Sequence, residues 1–328
     1  MPNMTGPSAR SNTTAVPPYE IDLAIIGGTG FYHLDNNPDL KQVLKFVETI
    51  HETTTPWGKT SSPVTVYKTV TTGKYIGFLS RHGLHHEYSP TTVPYGANMA
   101  LLKHLKVKAV VAFSSVGSLK EELKPGDFVI PDQLIDRTKG VRQSSYFNET
   151  GLVGHVSFGN PFCKELGQFL HALGKEIDNH EVHYNGTLIC MEGPQFSTRA
   201  ESLMYKSWGS EISVINMSCV PESKLARELE LPYQMVCMVT DYDSWRLEEH
   251  PVTIDEIKKT LQKNNDNAFK IVCKIVTSLD QNGSPEFMAN NPYKGHTQSS
   301  ISTKPTRDPK HINEQKIKEL NYIFPEWV

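Results

Sequence analysis

Five apolar runs in this chain end in residues able to do chemistry. "IDLAII" is followed by Gly27, Gly28, Thr29 and Gly30. "YIGFLS" is followed by Arg81 and His82, and "VVAF" by Ser114 and Ser115. "SVIN" is followed by Met217 and Ser218, and "QMVCMVT" by Asp241 and Asp243. A glycine turn permits positive φ, so successive backbone N–H groups can converge on an anion, and Thr29 adds a hydroxyl. The turn has neither the GxxxxGK[ST] spacing of a Walker loop nor the GxGxxG spacing of a dinucleotide fingerprint. Alone it reads equally well as a tight strand-to-loop turn. Arg81 and His82 shift that balance, because a guanidinium is the fork that grips phosphate bidentately. With the hydroxyls of Thr29, Ser114 and Ser218, the set reads as a site for free phosphate.

Asp241 and Asp243 supply a second kind of chemistry. Residues two apart on a continuing strand share a face. Two neighbouring carboxylates resist ionising together, so one tends to keep its proton at neutral pH. A protonated carboxyl donates to a ring nitrogen and an ionised one accepts from an exocyclic amine. Adenine, with N7 beside its 6-amino group, matches such a pair. A capping or turn pair is the plainer alternative. The histidines of "RHGLHHE" (His82, His85, His86) have no metal-ligand spacing and no accompanying cysteine pair, so they read as a polar loop. No metal is expected.

The elements that must position these residues follow from hydrophobic patterning. Several of the runs are continuous rather than alternating, as strands buried on both faces should be. Helix-like segments lie between them: "YGANMALLKHLKV" (95–107), "PFCKELGQFLHALGKEI" (161–177), "STRAESLMYKSWG" (197–209), "VPESKLARELEL" (220–231) and "TIDEIKKTLQKNNDNAFKIVCKIV" (253–276). Strands alternating with helices predict an α/β protein, and ligands in such sheets bind beyond the carboxyl ends of the strands. No linker interrupts residues 21–280, which favours one large domain. Residues 1–20 read as a flexible tail, and 281–328 as a partly disordered C-terminal extension holding one short amphipathic helix in "INEQKIKELNYIF".

Composition excludes several functions. Across 328 residues the net charge is −3, too little positive charge for a nucleic-acid partner. No apolar run approaches the roughly 18 residues of a membrane span, and the N-terminus lacks the apolar core of a secretory signal. The five cysteines, Cys163, Cys190, Cys219, Cys237 and Cys273, form no CxxC pair and mostly sit in apolar runs. They read as reduced, buried thiols of a cytoplasmic protein, with the nucleus as a second expected compartment. A small molecule is the expected partner.

The segments "AIIGGTGFY", "SRHGLHHEYSPTTVPYGANMALLK", "GSLKEELKPGDFVIPDQLIDRT", "GTLICMEGPQFSTRAES", "INMSCVPESKLARE" and "VTDYDSW" occur in that order. Together they closely resemble the 5′-methylthioadenosine phosphorylases of the trimeric purine nucleoside phosphorylase family. The likeness covers about residues 21–280. "EGPQFSTRAE" and "TDYD" are specific to this branch; related 6-oxopurine phosphorylases carry Asn where Asp241 stands and Glu near Ser197.

The resemblance implies a single α/β domain around a central mixed, twisted sheet flanked by helices, assembled as a homotrimer. It implies phosphorolysis of 5′-methylthioadenosine to adenine and 5-methylthioribose 1-phosphate. Inorganic phosphate is a co-substrate, and no metal or organic cofactor is needed. By matching motif, Thr29, Arg81, His82, Ser114, Ser115 and Ser218 would contact phosphate and Met217 would line the ribose. Phe196, Ser197, Asp241 and Asp243 would hold the base, with Asp241 as proton donor. His155, Ile254 and Ile257 would lie near the 5′ group. Ser114 and Ser218 replace threonines of the animal enzymes and keep the hydroxyl. The stretch after Gly283 is longer than the family pattern, and no residue of it is matched to the one by which a neighbouring subunit closes the 5′ pocket. A broader purine nucleoside phosphorylase and a non-catalytic nucleotide-binding protein on the same scaffold are the alternatives.

Overall fold

The computed structural model describes residues 16–31, 34, 37–51, 53–178, 180–246, 254–301 and 311–327. Its elements run β1 (Leu23–Gly27), α1 (Pro38–Val43), β2 (Leu44–Ile50), β3 (Thr54–Thr55), β4 (Gly58–Lys59), β5 (Val64–Thr69), β6 (Tyr75–Ser80), α2 (Tyr95–His104) and β7 (Val110–Ser118). They continue with β8 (Phe128–Ile130), β9 (Gln133–Arg137), α3 (Lys164–Gly174), β10 (Val182–Tyr184), β11 (Thr187–Met191), α4 (Arg199–Lys206), β12 (Ile212–Asn216), α5 (Cys219–Glu228) and β13 (Tyr233–Asp241). The C-terminal part holds α6 (Ile254–Asn282), α7 (Glu286–Ala289), α8 (His296–Ser300), α9 (Glu314–Leu320) and a 3-10 turn at Pro325–Trp327.

Eleven of the strands form one mixed sheet in the order β10-β8-β13-β7-β1-β6-β5-β2. The long β7 also pairs antiparallel with β12, which carries β11 and then β9 as a branch. The four central strands β13, β7, β1 and β6 are parallel, so their carboxyl ends meet at one edge. Gly27 lies opposite Ser80, and Cys237 opposite Ser114. This register gathers the five strand ends that carry polar residues.

The continuous apolar runs are explained by burial on both faces. Ala24 and Ile26 belong to one cluster with Met99 of α2, Leu225 of α5 and Val239 of β13. Their neighbours Leu23 and Ile25 point the other way, towards Leu170, Ile271 and Ile275 of α3 and α6. A strand with helices over both faces has no solvent side and therefore no polar alternation.

Sequence patterning did not predict β2, β9 or β10. The exposed edge strand β2 (LKFVETI) lacks a clear period-2 stripe, and the latter two are short. The boundary expected at 280/281 falls inside α6. The segment beyond it returns to the core, where Leu320, Ile323 and Phe324 are all at most 3% exposed. Tyr19, expected in the tail, stacks on Tyr75 with ring centroids 4.0 Å apart. The rest of the expected tail, residues 1–15, lies outside the described residues.

Candidate active site

At the carboxyl edge of the central strands opens a cavity of about 700 Å³, within the ordinary range for a small-molecule site. Thr29, Arg81, His82, Ser114, Ser115 and Ser218 line it together with Phe196, Met217, Asp241 and Asp243. Ten of the predicted site residues therefore share one cavity.

The glycine turn serves close approach more than unusual φ. A Cβ on Gly28 would stand 2.6 Å from the Phe113 carbonyl oxygen and 3.3 Å from Arg81 Nη1. Only Gly30 of the three glycines has a positive φ, at 83°. The missing side chains let Arg81 lie beneath the turn. Its fork is not open to the cavity as expected. Nε and Nη2 donate to the two carboxylate oxygens of Glu222 at 2.8 and 2.9 Å, and Nη1 donates to Phe113 O at 2.7 Å. Tyr233 Oη donates to the same Glu222 at 2.7 Å. A fully buried guanidinium needs such a counter-charge. Of its five N–H groups three are thus engaged and two are not.

The hydroxyls cluster beside it. Ser114 Oγ and Ser218 Oγ are 3.0 Å apart, and Asn216 Nδ2 donates to Ser114 at 3.1 Å. Ser115 Oγ is buried with no hydrogen-bond partner. A buried hydroxyl without a partner is costly unless a ligand supplies one. His82 completes this wall; its Nδ1 lies 2.9 Å from Tyr88 O, and burial together with the Arg81 charge pushes its pKa down to about 4.

At the other wall β13 ends on Asp241, opposite Gly117, after a register shift at Thr240. A Cβ on Gly117 would stand 3.2 Å from Asp241 Oδ1 and 3.1 Å from Asp243 Cβ, so glycine leaves room for both carboxylates. The two aspartates do not share a face of one extended strand. The chain turns, Asp243 adopts φ 52°, and its N–H donates to Asp241 Oδ1 at 2.8 Å. Burial pushes both carboxyls above the usual range. Asp243 Oδ2 is buried, and the Ser202 and Ser197 hydroxyls lie near enough to draw the carboxyl's pKa part of the way back down.

Thr240, unnoticed in the sequence, lines the cavity and touches two acceptors. Its Oγ1 is 3.1 Å from Val116 O and 2.7 Å from Asp241 Oδ2. A hydroxyl has one hydrogen, and a carbonyl can only accept. Both contacts are satisfied together when the hydrogen of Thr240 goes to Val116 O and Asp241 Oδ2 carries its own.

Residues that support the wall from behind were equally hidden. Arg142 donates to Glu192 Oε1 at 2.8 Å, to Met217 O at 2.7 Å and to Val220 O at 2.6 Å. Glu192 also accepts from Thr91 Oγ1 at 2.7 Å and from Lys139 N at 2.9 Å. This buried ion pair fixes the turn that presents Met217 and Ser218. Nothing local in "KGVRQSS" or "MEGPQF" marks it.

Four predicted residues are not in the described wall. Ser197 is buried behind it, with Oγ 3.5 Å from Met191 Sδ and its carbonyl accepting from Ser244 Oγ at 2.7 Å. Met191, rather than Ser197, faces the cavity. His155 is exposed and does not line it; its loop is held by the His155 N–H to Ser300 O at 3.2 Å. Ile254 and Ile257 belong to the start of α6, but their side chains lie outside the described residues. Among the described residues one trio with metal-ligating groups, Asp127, Glu181 and His183, stands away from the cavity. The Asp127 carboxylate there accepts from the Lys124 and Glu181 backbone N–H groups.

Known proteins share both sequence and fold. The profile of the phosphorylase superfamily matches residues 22–277. The S-methyl-5′-thioadenosine phosphorylase of Ajellomyces capsulatus is 45% identical over 311 residues, covering 93% of this chain and 95% of that protein. The Schizosaccharomyces pombe protein of the same name is 45% identical over 92% of this chain and 95% of its own length. A methylthioadenosine phosphorylase from an antarctic soil metagenomic library superposes with a TM-score of 0.77 at 35% identity, covering 93% of this chain and 99% of that chain. The Schistosoma mansoni methylthioadenosine phosphorylase in complex with adenine gives 0.76 at 29% identity, covering 87% and 100%. By sequence along most of its length and by its mixed, helix-flanked sheet, this chain belongs to the phosphorylase superfamily, and within it to the S-methyl-5′-thioadenosine phosphorylases.

Proposed function

We propose that this protein catalyses phosphorolysis of 5′-methylthioadenosine, giving adenine and 5-methylthioribose 1-phosphate. One observation carries the reading: a single cavity is lined by hydroxyls and a guanidinium, with Ser115 Oγ buried and unpartnered, and by the buried carboxyl pair Asp241 and Asp243. The first suits phosphate and the second suits the 6-amino edge of adenine. The names of the relatives agree with it.

The residues divide the chemistry. Breaking the bond between C1′ and N9 leaves an oxocarbenium-like sugar, and its electron pair departs with the base. Phosphate held by Thr29, Ser114, Ser115, Ser218 and the remaining Arg81 N–H groups offsets the positive charge and forms the new C1′–O bond. Asp241, its proton kept on Oδ2 beside Thr240, turns that proton to N7 of the leaving adenine. Asp243 accepts from the 6-amino group. General-acid catalysis of this kind contributes about 10²–10⁴-fold, and preorganised donors around developing charge contribute comparably. Group transfer of this type changes no oxidation state, and the residues named suffice for it without a cofactor.

The test is adenine release from a small nucleoside panel, with and without phosphate. Phosphate-dependent release from 5′-methylthioadenosine is expected, with lower kcat/KM for adenosine. One small apolar group is worth about 10–200-fold in such discrimination. Equal efficiency on adenosine would favour the broader purine nucleoside phosphorylase, and no phosphate-dependent turnover at all would leave only a binding protein.

We also propose that the protein works as a homotrimer in the cytoplasm, with the nucleus as a further setting. Val141, Val153, Phe196, Leu203 and Trp208 are exposed, and closed cyclic symmetry is the usual form of a homo-oligomer. His155, outside its own chain's cavity, would then be free to serve another subunit. Sedimentation should give three times 36.8 kDa; a fully active monomer would contradict the assembly. Four of the five cysteines are buried as free thiols, which suits a reducing compartment.

A further inference from the structure

We infer that His82 presents an unprotonated Nε2 to the oxyanion and so selects one that carries its own hydroxyl hydrogen, hydrogen phosphate rather than sulfate. This rests on the phosphorolysis reading and deepens it. Every other group in the wall that receives phosphate can turn a hydrogen to it: the guanidinium of Arg81 and the rotatable hydroxyls of Thr29, Ser114, Ser115 and Ser218. Such a wall satisfies any tetrahedral anion and tells none apart.

The tautomer of His82 is set by its loop. Tyr88 O is 2.9 Å from Nδ1, and a carbonyl oxygen can only accept, so Nδ1 carries a hydrogen. The Tyr88 N–H donates back to His82 O at 3.2 Å, which closes the loop on itself. The ring also stacks on His86, with centroids 4.9 Å apart. With Nδ1 committed, Nε2 is the ring atom left for the cavity. A second proton there would be buried beside the Arg81 charge, with Arg142 and His86 also nearby, and the pKa of about 4 reflects this. At neutral pH Nε2 is therefore a lone pair.

A lone pair facing an oxyanion is repulsive unless the anion brings a hydrogen. Hydrogen phosphate has one and sulfate has none. The reaction needs the same hydrogen to leave. A neutral nucleoside and hydrogen phosphate give neutral adenine and a phosphomonoester dianion, so one proton departs from the phosphate as one reaches the base. Glu87 is the other acceptor near this loop. It lies at the exposed rim, where its carboxylate wraps the Gly83 turn and accepts from the His85 N–H at 2.8 Å.

Binding of inorganic phosphate and of sodium sulfate to the full chain, measured by calorimetry at pH 8, tests this. Both anions then carry about two charges, so net charge does not separate them. Phosphate should bind at least about tenfold more tightly, the worth of one charge-assisted hydrogen bond gained and one repulsion avoided. Arsenate, which keeps a hydroxyl, should follow phosphate, and selenate should follow sulfate. In His82→Gln the side-chain amide can donate, so the phosphate-to-sulfate ratio should fall towards one; His82→Asn serves if that variant does not fold. Glu87→Gln should leave the ratio unchanged. Equal affinities in the unmodified protein, or a ratio that moves in Glu87→Gln and not in the His82 variants, would overturn the inference. Phosphorolysis without anion discrimination would sink the inference alone. Discrimination without phosphorolysis would sink the functional reading and leave His82 as an anion selector.

Discussion

Asp241→Asn is expected to lower kcat/KM for 5′-methylthioadenosine by about 10²–10⁴-fold, the usual worth of a general acid. Its shape is nearly that of the native residue, and its oxygen can still accept from the Asp243 N–H, which Asp241 Oδ1 does at 2.8 Å. What it loses is the transferable proton. The same amide can donate to both N7 and O6 of a 6-oxo purine, where an ionised carboxylate would meet the O6 oxygen with no hydrogen bond. Leaving one buried polar group unpaired costs about 1–3 kcal/mol, so the unmodified protein should strongly prefer adenine nucleosides to inosine. The variant should narrow or reverse that gap. Steady-state kinetics on both nucleosides decide it. A proportional loss on every substrate would mean that Asp241 does not read the base, and an unchanged rate on 5′-methylthioadenosine would move the proton donor to Asp243 or a water.

The pH dependence has a definite sign. Burial raises the Asp241 pKa, and the acid works only while protonated. Activity should be present below the raised pKa and fall as pH rises through it. Thr240→Val removes the hydroxyl 2.7 Å from Asp241 Oδ2, so it should alter this alkaline limb, and Thr240→Ser should restore it. A Thr240→Val profile matching that of the unmodified protein would remove Thr240 from the proton's path.

Much of this site was legible because a parallel sheet writes its active edge into the sequence. Each apolar run ends where its strand ends, so Thr29, Arg81, Ser114, Ser218 and Asp241 announce themselves by position, and register then brings them together. The residues that were missed act across the chain. Glu222 sits on α5, in the helix-like "VPESKLARELEL", where nothing local marks it, yet it is 1% exposed and closes the fork of Arg81. Arg142 and Glu192 lie in loops 50 residues apart and meet only in the fold. Asp243 was expected to share a face with Asp241 by strand geometry. A turn with φ 52° achieves the proximity instead, and a period-2 argument cannot foresee a turn. Ser197 does not line the cavity, although its hydroxyl lies near the Asp243 carboxyl. It directly precedes the Thr198 cap of α4, and its Oγ is 3.5 Å from Met191 Sδ.

Arg81→Ala should have two separable effects. Removing the guanidinium takes a charged donor from phosphate, which should raise the phosphate KM by roughly ten- to a hundredfold, since hydrogen bonds to charged groups are worth about 1.5–3 kcal/mol. It also strands the carboxylate of Glu222, 1% exposed, with Tyr233 as its remaining hydrogen-bond donor. Breaking a buried ion pair by removing one partner costs about 3–5 kcal/mol of folding stability, enough to confuse a loss of binding with a loss of fold. The double variant Arg81→Met with Glu222→Met separates them. Replacing both members of a buried pair by apolar side chains is often neutral or stabilising, so denaturant unfolding should show most of the lost stability recovered. The phosphate KM should stay high, because no donor has returned, while binding of the nucleoside changes less. If the double variant regained the native phosphate KM along with its stability, Arg81 would serve only to neutralise Glu222, and phosphate would be held by the hydroxyls of Thr29, Ser114, Ser115 and Ser218 alone.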